Sequence, residues 1–334
     1  MRLHRYVLTS ILTLLLSCSQ QVEYVTINGT MLGTTLSIIA DIKDIPSKDI
    51  YKAVMEIDKE AKRSMSIFEE NSLINRINRN QTDSVDIHIT NNLRLAKRFS
   101  EMSNGIYDVT VKPLVQAWGF AGKERDKSPN IDSILEFVGY QKVRIENGRV
   151  IKEDRRLELD FNSIAKGYTV DLVANLIEEF GAENYLVDIG GEIRCRGKNR
   201  EGKPWRIGVE TPYDGNMTSG EALQKRIQIT EGGMATSGNY RRFYISESGE
   251  KIAHTIDPNT GYSAISSLLS VTVIADDCAT ADAMGTMFLA MGSEKALLLA
   301  KKLDNIKVYF IFAGKDGAYE EYVSPQMERL IMKN

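Results

Sequence analysis

Histidine is scarce in this chain: 334 residues carry three, His4, His88 and His254. A catalytic zinc centre built on three histidines would need all of them. Cysteine is equally scarce, at three, too few for a disulfide framework. No stretch approaches the roughly 18 to 20 apolar residues of a spanning helix. Neither charge sign dominates: 42 Lys and Arg stand against 45 Asp and Glu, for a net charge of −3. No basic stripe marks a nucleic-acid surface, so no nucleic-acid partner is expected. Seven prolines and a 43% apolar share argue for a packed chain rather than a disordered one. Glycine is present, at 25, but no two glycines lie two apart, so G-x-G-x-x-G cannot occur. The nearest phosphate-loop match, Gly191 to Gly197-Lys198-Asn199, has a spacer one residue too long and Asn in place of Ser or Thr. No G-x-S-x-G elbow is present.

What is there begins at the N-terminus. Arg2 and Arg5 precede eleven uncharged residues, Tyr6–Leu16, and the run ends Leu15-Leu16-Ser17-Cys18. A charged start, a short apolar run and a small residue before a cut describe a secretory signal. This ending resembles a lipobox, which implies removal of residues 1–17 and lipidation of Cys18; an ordinary export signal with a chance Cys is the alternative. Several acyl chains, each contributing about 0.8 kcal/mol per buried CH₂, hold a protein stably on a bilayer. The expectation is a chain anchored to a bacterial membrane and facing the periplasm or cell exterior. His4 is then lost. Cys195 and Cys278 are expected as buried small hydrophobes rather than a disulfide.

Along the rest, 22–41 alternates and reads as a strand or hairpin punctuated by Gly29 and Gly33. Pro46-Ser47 opens a helix with Ser47 as N-cap and apolar residues from Ile50 to Met65 at helical spacing. Further helices are expected over 91–103, 164–180, 277–291 and 294–303, with Gly181 ending the third of the five. Strands are expected over 185–189, 205–210, 226–230, 242–246, 268–275 and 308–313, and 121–130 as a linker. His88 falls in an alternating polar stretch and reads as a surface residue on a strand. Strands in runs with helices clustered between them favour α+β, mostly antiparallel, over a doubly wound sheet. Residues 18–334 are expected to form one large catalytic unit, with a small inserted subdomain as the alternative.

Four polar or Gly-rich patches adjoin apolar elements: 105–111 with Pro113 and Trp118-Gly119-Phe120; 160–168 at a strand-to-helix junction; 237–240 with 254–261; and 281–286 inside an apolar helix. Asp282 and Thr286 are i and i+4, one carboxylate and one hydroxyl on one face, both hard oxygen ligands that suit Mg²⁺. The plainer alternative has Thr286 bonded back to its helix and Asp282 paired with a basic side chain. Lys166 lies one turn into a helix, whose free N–H groups favour phosphate; a solvated Lys behind a capped terminus is the alternative. Ser163-x-x-Lys166 also matches the S-x-x-K of serine penicillin-interacting enzymes, but Asn259-Thr260-Gly261 lacks the Lys of their third motif.

Taken in order, these patches resemble the bacterial FAD:protein FMN transferases, the ApbE-type lipoproteins. The resemblance runs from Leu32-Gly33-Thr34-Thr35 through 65–68, 72–78, 105–120, 160–168, 188–192, 235–240 and 254–258 to Ala281-Asp282 and Thr286. It implies a T-fold-like core, FAD and Mg²⁺ binding, release of AMP, and attachment of FMN to a Thr or Ser hydroxyl of a target flavoprotein. By resemblance, Mg²⁺ falls to Asp282, Thr286 and the main-chain oxygen of Ser163. Flavin contacts fall to Leu32, Phe68, Ile106, Tyr107, Asp108, Asp160, Lys166 and Ile256. Leu32 stands where the family has Met, and Phe68 where Tyr is frequent. The acceptor hydroxyl needs a base: His254 is the first choice, Asp257 the second, with Lys166 assisting at the leaving phosphate. The alternatives are a Mg²⁺-dependent FAD pyrophosphatase using the same site, and a non-catalytic flavin-binding lipoprotein.

Overall fold

The structure, a computed structural model, describes residues 23–120, 129–213, 222–239, 243–245, 251–264, 266–304, 306–314 and 318–333. The expected signal segment with Cys18, most of the expected linker, Tyr240, and the ends of the 242–246 strand lie outside the described residues.

The chain opens with β1 (Val25–Met31) and β2 (Thr34–Ala40), then α1 (Ser47–Met65), α2 (Leu73–Asn78), α3 (Ile87–Met102), α4 (Lys112–Ala117) and α5 (Ile131–Leu135). A small hairpin follows, β3 (Val143–Glu146) and β4 (Arg149–Lys152), and then α6 (Ala165–Glu179). Next come β5 (Tyr185–Ile189), β6 (Glu192–Arg196), β7 (Trp205–Glu210), β8 (Leu223–Ile229), β9 (Glu231–Gly238), β10 (Phe243–Ile245), β11 (Lys251–Ala253) and β12 (Leu268–Ala275). The chain closes with α7 (Cys278–Lys302), β13 (Lys307–Ala313), β14 (Tyr319–Val323) and α8 (Pro325–Glu328).

Eight strands form one sheet in the order β1-β2-β5-β6-β9-β12-β13-β14, and every neighbouring pair is antiparallel. The α+β expectation holds. One face of the sheet packs on α1, α6 and α7 through two apolar clusters, one with Ile38, Val54, Val173 and Val187, the other with Val271, Met287, Phe288 and Phe310. The opposite face is covered by the β7–β8 ribbon, with Trp205, Ile207 and Ile227 against Ile193, Met234 and Tyr309. Along β12 the alternation is weak because both faces are covered, whereas β5 alternates buried and half-buried residues. Cys195 and Cys278 are buried and unpaired, as expected. Among the described residues no helix is long and apolar enough to cross a membrane.

Several local expectations are corrected. Pro46, not Ser47, is the N-cap of α1, and it contributes no side-chain bond; Ser47 is already helical. The helix expected over 91–103 is α3 and begins at Ile87, because the Asp86 carboxylate accepts the Ile89 N–H (2.9 Å) and captures the alternating stretch as a first turn. His88 is therefore helical and half-buried, 3.1 Å from the Tyr168 hydroxyl, not a surface strand residue. The two expected C-terminal helices are both present; they adjoin within the α7 range and are separated by the non-helical Gly292, at φ 72° and ψ 174°.

Two central strands, β6 and β9, went unrecognised for physical reasons. β6 (Glu-Ile-Arg-Cys-Arg) looks too charged to lie in a sheet. Its alternate residues Glu192, Arg194 and Arg196 face α6 and pair with Lys166 (2.5 Å), Asp171 (3.4 Å) and Glu178 (3.6 Å). β9 is glycine-rich because α7 starts on top of it: a Cβ on Gly233 would lie 2.2 Å from the Cys278 nitrogen. The same constraint acts between α6 and α7, where a Cβ on Gly167 would meet the Cys278 carbonyl at 2.4 Å and Asp282 Cβ at 2.8 Å. Both are backbone-scale clashes that a side-chain rotation cannot relieve. We expect Gly167→Ala to cost on the order of 1–3 kcal/mol of overpacking. Denaturant unfolding checks this; unaltered stability would show that the two helices are not held in this contact.

Candidate active site

A cavity of about 240 Å³ opens beside α7. Phe68, Phe120, Val111, Val115, Ile256 and Pro258 supply its apolar wall. Asp108, Asp160, Asn162, Ser163, His254, Thr255 and Thr286 supply polar groups, with Ile106, Tyr107 and Ala290 between them. The residues come from five places in the chain, brought together where the loop before α4, the N-terminus of α6 and the loop after β11 meet α7.

The floor is rigid. Asp108 accepts the Thr110 N–H at 2.7 Å and the Tyr140 N–H at 2.6 Å, tying the 105–111 loop to the turn before β3. Burial nevertheless holds its carboxyl at about 6, opposed by those two donors. Asp160 accepts the Asn162 N–H at 2.8 Å, and burial raises its carboxyl as well. The Tyr107 hydroxyl lies 2.8 Å from Ser163 Oγ, and burial pushes that phenol upward. At the lip Phe68 is 68% exposed, an aromatic face presented to solvent where a ring could stack on it. Phe120, also in the lining, meets His254 edge-on, ring centroids 6.3 Å apart.

Of the residues singled out from sequence, Phe68, Ile106, Tyr107, Asp108, Asp160, Ser163, His254, Ile256 and Thr286 line this one cavity. Leu32, Lys166, Asp257 and Asp282 do not. Leu32 sits at the β1–β2 turn at φ 51°, followed by Gly33 at φ 77°, the two positive φ values of a tight hairpin. A leucine is strained there by about 1–3 kcal/mol, and its N–H is anchored to Asp58 at 2.8 Å. Asp257 accepts the Asn259 N–H at 2.9 Å and its carbonyl caps the turn to Gly261, so its carboxylate shapes the loop. Lys166 points to Glu192 rather than to a solvated surface.

Asp282 lies just beneath the cavity, 5% exposed, with Oδ2 accepting the Gly167 N–H at 2.9 Å. Burial raises its carboxyl to about 6, against the pull of Lys166 and the Gly167 N–H. Its Oδ1 accepts no hydrogen bond from the described residues. Thr286 makes no bond back to its helix, unlike Thr90 and Thr169, which bond to the carbonyls four residues earlier. The plainer reading of the pair is therefore not what the fold adopts. Among the described residues no cluster of three or more His, Cys, Asp or Glu forms a metal centre. The donors that fit a cation are a carboxylate oxygen, a hydroxyl and the nearby Ser163 main chain, a hard-oxygen set suited to Mg²⁺ and incomplete without water or ligand oxygens. Val111, Phe120, Asn162, Thr255 and Pro258 fall inside the polar patches but had no role assigned from sequence, and Val115 and Ala290, which lie outside them, were missed.

A ring-stacking lip over carboxylates and hydroxyls, on an antiparallel sheet backed by helices, defines an α+β ligand-handling protein. The sequence model of the ApbE family matches residues 32–310, and the chain belongs to that family. A relative from Haemophilus influenzae named FAD:protein FMN transferase is 36% identical over 319 residues, covering 91% of this chain and 90% of its own. One of the same name from Vibrio cholerae is 34% identical and covers 96% and 97%. The solved flavin transferase ApbE from Vibrio cholerae superposes with a TM-score of 0.81 at 32% identity, over 92% of this chain and 99% of that one. The solved ApbE protein from Thermotoga maritima gives 0.80 at 29%, over 93% and 100%.

The Asp108 carboxyl titrates near 6 when folded and near 3.8 when exposed. Between those pH values the unfolded chain loses the proton first, so stability falls as pH rises through the window. Two units correspond to up to about 3 kcal/mol. Denaturant melts from pH 4 to 7 should show this fall in the native chain and a flatter profile in Asp108→Asn, which has no carboxyl to titrate.

Proposed function

We propose that this chain is a FAD:protein FMN transferase that moves FMN from FAD to a Thr or Ser hydroxyl of a target flavoprotein. The observation that carries the reading is the convergence of Phe68, Asp108, Asp160, Ser163, His254, Ile256 and Thr286 on one cavity, in a chain that matches FAD:protein FMN transferases over nine-tenths of its length.

The chemistry breaks the bond between the FMN phosphorus and the bridging oxygen of the FAD pyrophosphate. A new P–O bond forms to the acceptor oxygen, and AMP departs with the bridging oxygen. Phe68 stacks on the isoalloxazine ring, and the apolar wall of Val111, Val115 and Ile256 excludes water from it. His254 takes the proton of the acceptor hydroxyl, since an unactivated hydroxyl is a poor nucleophile and imidazole titrates near neutrality. Asp108 and Asp160 hold the loops that place the flavin. Asp282 Oδ1, the Thr286 hydroxyl and the Ser163 main-chain oxygen would hold Mg²⁺, which when bound would supply neutralisation of the pyrophosphate charge. With water in place of the acceptor the same groups would yield FMN and AMP.

At the other end of the chain, residues 1–17 are an export signal and Cys18 a lipid attachment point, holding the enzyme on a bacterial membrane with its body facing the periplasm or cell exterior. The charged start, short apolar run and Leu-Leu-Ser-Cys ending support this. Cys18→Ala should move the protein from the membrane to the soluble fraction; continued sedimentation with membranes would refute the anchor.

The central test is an incubation with FAD, Mg²⁺ and a flavoprotein subunit, reading acceptor mass and released AMP. An acceptor heavier by one FMN, with AMP in equal amount, is expected. Free FMN beside an unmodified acceptor would make the chain a pyrophosphatase, and no FAD turnover would refute both. In the same assay His254→Asn should lower transfer by about 10²–10⁴-fold, and Asp282→Ala should abolish the response to Mg²⁺.

A further inference from the structure

Glu192 is a deeply buried carboxylate that the mechanism above leaves unused. It opens β6, is 5% exposed, and lies 2.5 Å from the Lys166 ammonium. Lys166 follows the α6 N-terminus, one residue before Gly167, whose N–H binds Asp282 Oδ2. Lys166 therefore stands between two buried carboxylates on different elements, β6 and α7. Burial lowers the ammonium's affinity for its proton, and Glu192 and Asp282 together outweigh that effect. Among the described residues it forms an ion pair with Glu192 and none with Asp282.

That choice has a consequence for a cation. If Lys166 turned to Asp282, its ammonium would occupy the carboxylate oxygen that the Gly167 N–H leaves open, and a divalent ion would have to displace it. We propose that Glu192 is a positioning residue for the metal site: by holding the Lys166 ammonium on the β6 side, it keeps Asp282 Oδ1 available to Mg²⁺. This rests on the assignment of Asp282 to Mg²⁺. Glu192 touches neither substrate nor cation; it acts through Lys166. The register of β6 against α6 fixes the arrangement, because the ion pairs Arg194–Asp171 and Arg196–Glu178 continue the same face and hold the strand in place.

The test is a Mg²⁺ titration of the full chain, read as the rise in unfolding temperature and, separately, as the Mg²⁺ concentration giving half-maximal AMP release. Glu192→Gln keeps the shape and removes the charge. It should raise the half-saturating Mg²⁺ at least tenfold in both readouts. Lys166→Met, which removes the competing ammonium, should lower the half-saturating Mg²⁺ in the unfolding readout. Glu192→Gln combined with Lys166→Met should return it to within about threefold of the native value. A purely structural Glu192 would lower the unfolding temperature without moving the Mg²⁺ midpoint, and that result overturns the proposal. So does a weaker Mg²⁺ response in Lys166→Met, which also decides the matter if Glu192→Gln does not fold. A native chain indifferent to Mg²⁺ in both readouts would remove the metal assignment and this proposal with it; a responsive native chain with unmoved variants would remove the proposal alone.

Discussion

The first turn of α6 sits directly on the first turns of α7, and the site depends on that approach. With no side chain at Gly167, the helices close until the Gly167 N–H reaches the Asp282 carboxylate. A free helix-terminal N–H and a buried carboxylate are each costly alone, and here each satisfies the other. The contact fixes Asp282 in an otherwise apolar helix and sets the Ser163 junction, just before α6, beside Thr286. Gly233 allows α7 to lie equally close to β9, and Asp171 reaches from α6 to accept the Cys278 and Ala279 N–H groups at 2.9 and 2.8 Å. The N-terminus of α7 is thus held from the sheet and from α6 at once.

Around this contact the charges are arranged in layers. Farthest from the cavity, α6 and β6 exchange three ion pairs that make a charged strand compatible with a central place in the sheet. Nearer, Lys166 stands between Glu192 and Asp282. At the cavity wall, Asp108 and Asp160 are occupied by backbone N–H groups, so their charge organises loops rather than reaching freely into the space. Burial raises the carboxyls of Asp108, Asp160, Glu192 and Asp282 together. Clustered perturbed carboxylates of this kind mark functional sites, and here Asp108 and Asp160 line the cavity while Asp282 and Glu192 lie off it.

Much of this was legible in the linear pattern. The hairpin at 25–40, α1, α6, the break at Gly292 and the edges of β5, β7, β12 and β13 follow from apolar periodicity and glycine punctuation. The i, i+4 spacing of Asp282 and Thr286 and the polar patches at 105–111, 160–168 and 254–258 pointed to the cavity. What escaped did so for identifiable reasons. The alternation over 84–90 mimics a strand, and only the Asp86 cap makes it helical. β6 and β9 carry charge and glycine that strand propensity penalises, and both are stabilised by α6 and α7, far away in sequence. Phe120, Asn162 and Thr255 stood inside the polar patches, but nothing local assigned them a role; where their loops fall puts them in the site.

By itself, then, the sequence determined the α+β class, the family, and most of the residues that line the cavity, because periodicity and short motifs are local properties of the chain. Tertiary structure decided what each charged group does. It turned Asp257 to its own loop, His88 to Tyr168, and Lys166 to Glu192 instead of the cavity. Those outcomes depend on which carboxylate, hydroxyl or N–H lies within about 3 Å. That distance is set by the packing of helices and strands far apart in the chain, 115 positions in the case of Gly167 and Asp282.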